Sequence, residues 1–251
     1  MTAREKILSR IRLGRPREGA GSHPTPEEGG RPAGPPGPGQ AGSGTPAPGR
    51  GSLLDAFLTE CERLSVTAHI ARNADQAGNI LASILDKERV ETVLQWDPGN
   101  LPRIGMKEIL RSRGIESVDS GAAVPVESLW RRRASTAEAG ITGADWALAD
   151  SGTLVLGSGP GRPRSASLLP MIHIALLRSR DILPDSRALI DRLFKNMAEG
   201  TPLDRSLTLI TGPSKTSDIE MKPVQGVHGP GEIHVIVLTG TSDPETEGAN
   251  P

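Results

Sequence analysis

The sequence predicts an α/β fold, a mostly parallel sheet with flanking helices. Segments with helical spacing alternate with short strand-like runs from residue 52 onward, and this alternation is the main observation. The apolar runs MIHIALLR and EIHVIVLTG read as buried strands of the second half, and no internal repeat divides the chain. At 251 residues the chain is long enough to bury a substantial core. With two Phe, three Trp and no Tyr, that core must rest on Leu, Ile, Val and Ala.

Residues 1–13 read as a short amphipathic helix, with Ile7, Leu8 and Ile11 on one stripe; it either docks on a partner or frays at the terminus. Residues 14–51 are dominated by Gly, Pro and Ser without the strict repeat of collagen, which predicts a flexible linker. The folded region spans 52–240, and residues 241–251 read as a loose tail.

Within the folded region, Ser52 is placed to cap a helix whose stripe is Leu54, Phe57, Leu58, Cys61 and Leu64. Cys61 on that stripe reads as a buried structural thiol. VTAHIA follows as a strand, DQAGNILASILDKE as a helix, ETVLQW as a strand and PRIGMKEILRSRG as a shorter helix. Another helix is expected near ESLWRRRASTAEAG. DWALAD and GTLVLG are short strands around a Ser151-Gly152 turn, and PDSRALIDRLFKNMAEG is a helix between MIHIALLR and the strand SLTLITG. The stripes Leu207/Leu209 and Val235/Val237 read as core.

Bulk chemistry narrows the function. A net charge of -1 offers no general attraction to nucleic acid or an anionic membrane, and an aromatic stacking platform is not apparent. A single cysteine builds neither a disulfide nor a four-cysteine zinc or iron-sulfur site within the chain. No intrinsic cofactor or metal is therefore expected, and a redox role would draw on a bound cofactor or a partner. The charged start MTAREKILSRIRLGR has no secretory apolar core, and no segment approaches the length of a membrane span. A soluble cytoplasmic protein is the simplest expectation.

Three polar turns carry the candidate chemistry. In ADSGT, Asp150 is placed to orient or deprotonate a substrate, with Ser151, Gly152 and Thr153 beside it; the alternative is a polar turn that satisfies its own backbone. In GSGPGRPR, Gly159 and Gly161 permit close approach while Arg162 and Arg164 offer donor forks to a carboxylate or phosphate, the alternative being a solvated turn. Neither the dinucleotide nor the P-loop glycine pattern occurs. In TGPSKTSDIE, Gly212 ends a strand, and Ser217 with Glu220 has the spacing of a capping box for a short helix. Free N–H groups there, with Ser214, Lys215 and Thr216, suit an anion, while Asp218 and Glu220 oppose one unless they touch its neutral part. Asp150, Asp218 and Glu220 are the candidate catalytic carboxylates. His173 interrupts an apolar strand and reads as a hydrogen-bonded histidine, while His228, a candidate substrate contact, and His234 flank GPGEI without metal-ligand spacing.

GITGADWALADSGTLVL, LLPMIHIALL after GPG, and TGPSKTSDIEMKPVQGVHGPGEIHVIVL, in this order and spacing, resemble the LUD-domain family across most of residues 52–240. The resemblance implies a fold similar to the glucosamine-phosphate isomerase, ribose-phosphate isomerase and CoA-transferase class. It also implies a part in the oxidation of L-lactate to pyruvate, alongside partner lactate-utilization proteins that carry iron-sulfur clusters. The family usually has Glu where this chain has Asp150. A self-contained transferase or isomerase acting on a phosphorylated or CoA-linked metabolite is the alternative.

Overall fold

The computed structural model describes residues 50–119, 134–201, 204, 206–217, 223–225 and 229–240. The expected N-terminal helix, nearly all of the linker, the tail and three candidate site residues (Asp218, Glu220 and His228) lie outside the described residues.

Helix α1 (Arg50–Arg63) opens the described chain, starting ahead of the Ser52 cap that the sequence suggests. Strand β1 (Thr67–Ala71) leads to α2 (Ala74–Lys87), whose first turn is closed by Asn73, with Oδ1 accepting the Gln76 N–H at 2.8 Å. Next come β2 (Thr92–Gln95), α3 (Met106–Arg113) and β3 (Glu116–Asp119). Half of the helix expected at 127–140, residues 127–133, lies outside the described residues; 134–136 are helical, but the last two positions are strand: Ala139 and Gly140 open β4 (Ala139–Gly143). Pairing on both sides, to β2 and to a later strand, overrides the local helical preference of AEAG there.

A hairpin of β5 (Trp146–Leu148) and β6 (Thr153–Ser158) follows, then a short helix α4 (Ser165–Leu168) and β7 (Ile172–Arg178). The chain continues through β8 (Ile182–Leu183), α5 (Ser186–Ala198) and β9 (Ser206–Ile210). It ends with a small hairpin of β10 (Lys215–Ser217) and β11 (Pro223–Gln225), and finally β12 (Glu232–Leu238).

These strands form a six-stranded sheet in the order β1-β12-β7-β4-β2-β3, with parallel pairing throughout, and a four-stranded sheet in the order β8-β5-β6-β9. In the second sheet only β5 and β8 are parallel. A parallel sheet with helices against it explains why the interior of β7, from His173 to Leu177, is buried without alternation. Phe57, Leu81, Leu94, Ile141, Leu176 and Ile236 anchor the main core, and a smaller cluster of Leu148, Val155, Leu183 and Leu189 holds α5 to the second sheet.

The sheet order changes two expectations and separates two of the histidines. Ser217 ends strand β10, in antiparallel register with Pro223, rather than standing free as a helix cap; residues 218–220 lie outside the described region. Leu209 is 53% exposed because β9 is the outer strand of its sheet, while Val235 and Val237 are fully buried. His173 and His234 do not meet: His173 lies opposite Ile233 in the β7–β12 ladder, so it and His234 point to opposite faces.

Candidate functional site

The order of the parallel sheet reverses between β2 and β4: from β2 the chain moves outward to β3, then returns to β4 and continues through β7 to β12. Open α/β sheets bind ligands at such a point, beyond the carboxyl ends of the strands. A cleft of about 310 Å³ lies there, lined by Trp96 and Asn100 after β2, by Gly143 at the end of β4 and Asp145 beyond it, and by Arg178 at the end of β7 and Asp181 beyond it.

Beside the cleft stands a compact ion cluster. Arg162 donates from Nη1 to Asp145 Oδ1 at 2.9 Å and from Nη2 to Asp204 Oδ1, and its guanidinium lies 5.6 Å from the centre of the Trp96 ring. Asp145 Oδ2 accepts the backbone N–H of Gly157 at 2.6 Å. Trp96 is held in turn by donation from Nε1 to the Pro163 carbonyl at 3.3 Å. The turn that carries Arg162 is closed by paired backbone bonds between Gly159 and Arg162, and Gly161 sits in it at φ 70°. A side chain at Gly161 would run into Asp97 and Asn100, so the turn packs directly on the loop after β2.

Burial raises the Asp145 pKa above the usual aspartate value, against the pull of the Gly157 N–H and the Arg162 charge. Asp181 is raised by the same cause, with Arg180, Arg178 and Arg192 opposing and the Asp145 charge adding to it. Two desolvated carboxylates that sense one another beside arginines are suited to passing or holding a proton.

The candidates read from sequence fall into two places. Gly159, Gly161 and Arg162 belong to the ion cluster, where the Arg162 fork already spans two carboxylates; Arg164 begins the turn into α4. Asp150, Ser151, Gly152 and Thr153 lie at the other end of the β5–β6 hairpin, a strand length of roughly 10 Å away. There they meet a second predicted turn. Ser151 Oγ, Thr153 Oγ1 and Thr211 Oγ1 form a chain of hydroxyl contacts at 2.9 and 2.8 Å, and Gly152 at φ 61° packs on Glu60 and Leu64 of the α1 end. Gly212 touches Leu64 as well, and the Ser214 N–H donates to the Pro230 carbonyl at 2.8 Å. Asp150 is exposed at the tip, its N–H donating to the Pro184 carbonyl. Lys215 and Thr216 lie on β10.

Two other polar features lie apart. Thr142 Oγ1 and His173 Nε2 form a buried contact at 2.9 Å, and full burial pushes the His173 pKa down to about 4. His69 Nε2 and His234 Nδ1 approach to 3.2 Å, with Glu232 Oε1 on the other ring nitrogen of His234. Among the described residues, no three His, Cys, Asp or Glu side chains are placed to share a metal ion. Cys61 is buried, and desolvation with the Glu60 charge pushes its thiol up to about 12.

Asp145, Asp181, Asp204 and Trp96 escape a motif search because none belongs to a glycine-rich turn. The available signal is their position: Trp96 and Asp145 come immediately or two residues after a buried parallel strand, and Asp181 three residues after another.

A parallel-sheet α/β domain with a polar cleft at its switch point defines the class of this protein. The LUD domain model matches residues 54–238, and the chain belongs to the LUD-domain family. It is 32% identical over 191 residues to Lactate utilization protein C of a Geobacillus species, covering 74% of this chain and 78% of that protein. It is 30% identical over 186 residues to Lactate utilization protein C of Halalkalibacterium halodurans, covering 74% and 79%. The crystal structure of a DUF162 family protein from Deinococcus radiodurans shares the fold, with a TM-score of 0.53 and 23% identity over 76% of this chain and 99% of that one.

Proposed function

We propose that this chain is a subunit or accessory protein of an iron-sulfur-dependent system that oxidises L-lactate to pyruvate. One observation carries the reading: a chain similar over most of its folded region to proteins named for lactate utilization has a small polar cleft with arginine and two desolvated carboxylates at the sheet's switch point. Lactate presents a carboxylate and a neighbouring hydroxyl. Arg178 offers charge to the first, and Asp181 or Asp145 can take the hydroxyl proton. Oxidation releases two electrons and two protons from lactate. With its one cysteine, this chain has no four-thiolate cluster of its own to receive the electrons, so iron-sulfur centres on partner proteins accept them.

The test is reconstitution. Partners co-purified from lactate-grown cells are expected to contain iron and sulfide, and to oxidise lactate at full rate only with this chain present. If the purified chain, free of cofactor by spectroscopy, oxidised lactate at a physiological rate with a simple acceptor, the need for partners would be refuted. A second reading, a self-contained transferase or isomerase for a phosphorylated or CoA-linked metabolite, draws on the cleft volume of about 310 Å³, which also suits small metabolites of other classes. An acyl intermediate trapped on a carboxylate of this chain would favour it.

A further inference from the structure

Helix α5 keeps two rows of side chains in water. Ile190, Phe194 and Met197 form an apolar row at spacings of four and three residues, and they are 51%, 65% and 50% exposed. They border a groove of about 550 Å³ whose remaining lining includes Trp146, Leu207 and the Asp145–Arg162–Asp204 cluster. Neighbouring large apolar groups left exposed along one helix mark an interaction surface. The second row is Arg187, Asp191, Lys195 and Glu199, all exposed, one every four residues and alternating in sign along the helix.

We propose that α5 forms the contact of a two-fold symmetric homodimer, in which α5 of a second copy lies antiparallel across the first. The charge row identifies the partner. In a two-fold antiparallel helix pair, the same flank of each helix faces its counterpart with the sequence reversed. Reversal about Leu193 sets Arg187 opposite Glu199 of the second copy and Asp191 opposite its Lys195. Every charge of the row then meets its opposite, and the apolar rows close on each other beside them. A parallel pairing would leave the two charge rows on opposite sides of the helix pair, where they do not meet. Within one helix the row is also served locally, with Lys195 Nζ at 3.8 Å from Glu199 Oε1, but that contact leaves Ile190, Phe194 and Met197 in water. Because the groove reaches Asp145, which also lines the cleft, the dimer contact covers the outer side of the ion cluster.

Sedimentation equilibrium of the full-length chain over a range of concentrations tests the contact. The wild type is expected to dimerise, and Phe194→Asp to be monomeric with an unchanged far-ultraviolet circular dichroism spectrum. Asp191→Lys and Lys195→Asp, which set like charges face to face twice in the symmetric contact, should each weaken dimerisation roughly tenfold or more. The double variant Asp191→Lys/Lys195→Asp restores opposite charges and should recover most of the loss. This charge swap removes no apolar group, so it decides the matter even if Phe194→Asp fails to fold. A wild type that stays monomeric, a dimer indifferent to Phe194→Asp, or a double variant no better than the single ones would overturn the proposal.

Discussion

The two ends of the β5–β6 hairpin solve the placement of polar groups in opposite ways. At one end Asp145 and Asp204 are drawn onto Arg162 next to the cleft, and burial holds the Asp145 pKa high. At the other, Ser151, Thr153 and Thr211 satisfy one another with neutral hydroxyl contacts, and Asp150 stays in water. Desolvated charge is costly and is poised to respond to a ligand, whereas a short hydroxyl chain largely completes itself. The turn at the hydroxyl end therefore satisfies itself, and the desolvated charge lies where the parallel strands stop.

Arg162→Ala should have the largest effect, because it strands two largely buried carboxylates. It is expected to lose about 3 kcal/mol or more of unfolding free energy in urea at neutral pH. A loss under about 1 kcal/mol would mean that water replaces the guanidinium freely, and the contrast between the two ends would collapse.

Asp181→Asn sharpens the same contrast through pH. The folded protein holds the Asp181 proton more tightly than the unfolded chain does, since burial raises its pKa. Its contribution to stability is therefore fully present below the ordinary aspartate value and is lost as pH rises through the folded value. The wild type should gain stability relative to Asp181→Asn on acidification across that window, as read from paired urea titrations. An identical pH dependence in both proteins would remove Asp181 from the desolvated pair. In isothermal titration, the same variant should bind L-lactate or pyruvate more weakly than wild type.

The strands and most helices are legible because their periodicity is local: Leu81, Ile84 and Leu85 mark α2, and the unbroken apolar run from Ile174 to Leu177 marks β7. Strand order is not local. Nothing in the segment GITGAD says that β4 will sit between β2 and β7, yet that position puts Asp145 at the switch point. Ser217 illustrates the same limit in reverse, since pairing with Pro223 makes a strand end of a residue with the spacing of a cap. The turns at 150–153 and 157–162 are readable as turns, but which one meets Asp145 depends on the direction of the hairpin that joins them.

Thr153→Val probes the hydroxyl end. Thr153 is 4% exposed and links Ser151 to Thr211, so an isosteric change removes both contacts with little loss of packing. The expected cost is about 1 kcal/mol in the same urea assay, well below that of Arg162→Ala.

Asp150→Asn should have the smallest effect. Its side chain lies at an exposed tip, and its backbone N–H, which donates to the Pro184 carbonyl, survives the substitution. Stability is expected to stay within about 0.5 kcal/mol of wild type. Reconstituted lactate oxidation is expected to hold with it, because the desolvated carboxylates lie at the opposite end of the hairpin. A fall in rate of about a hundredfold with stability intact would instead make Asp150 a proton-transfer group, and the reactive end of the hairpin would have to be reassigned.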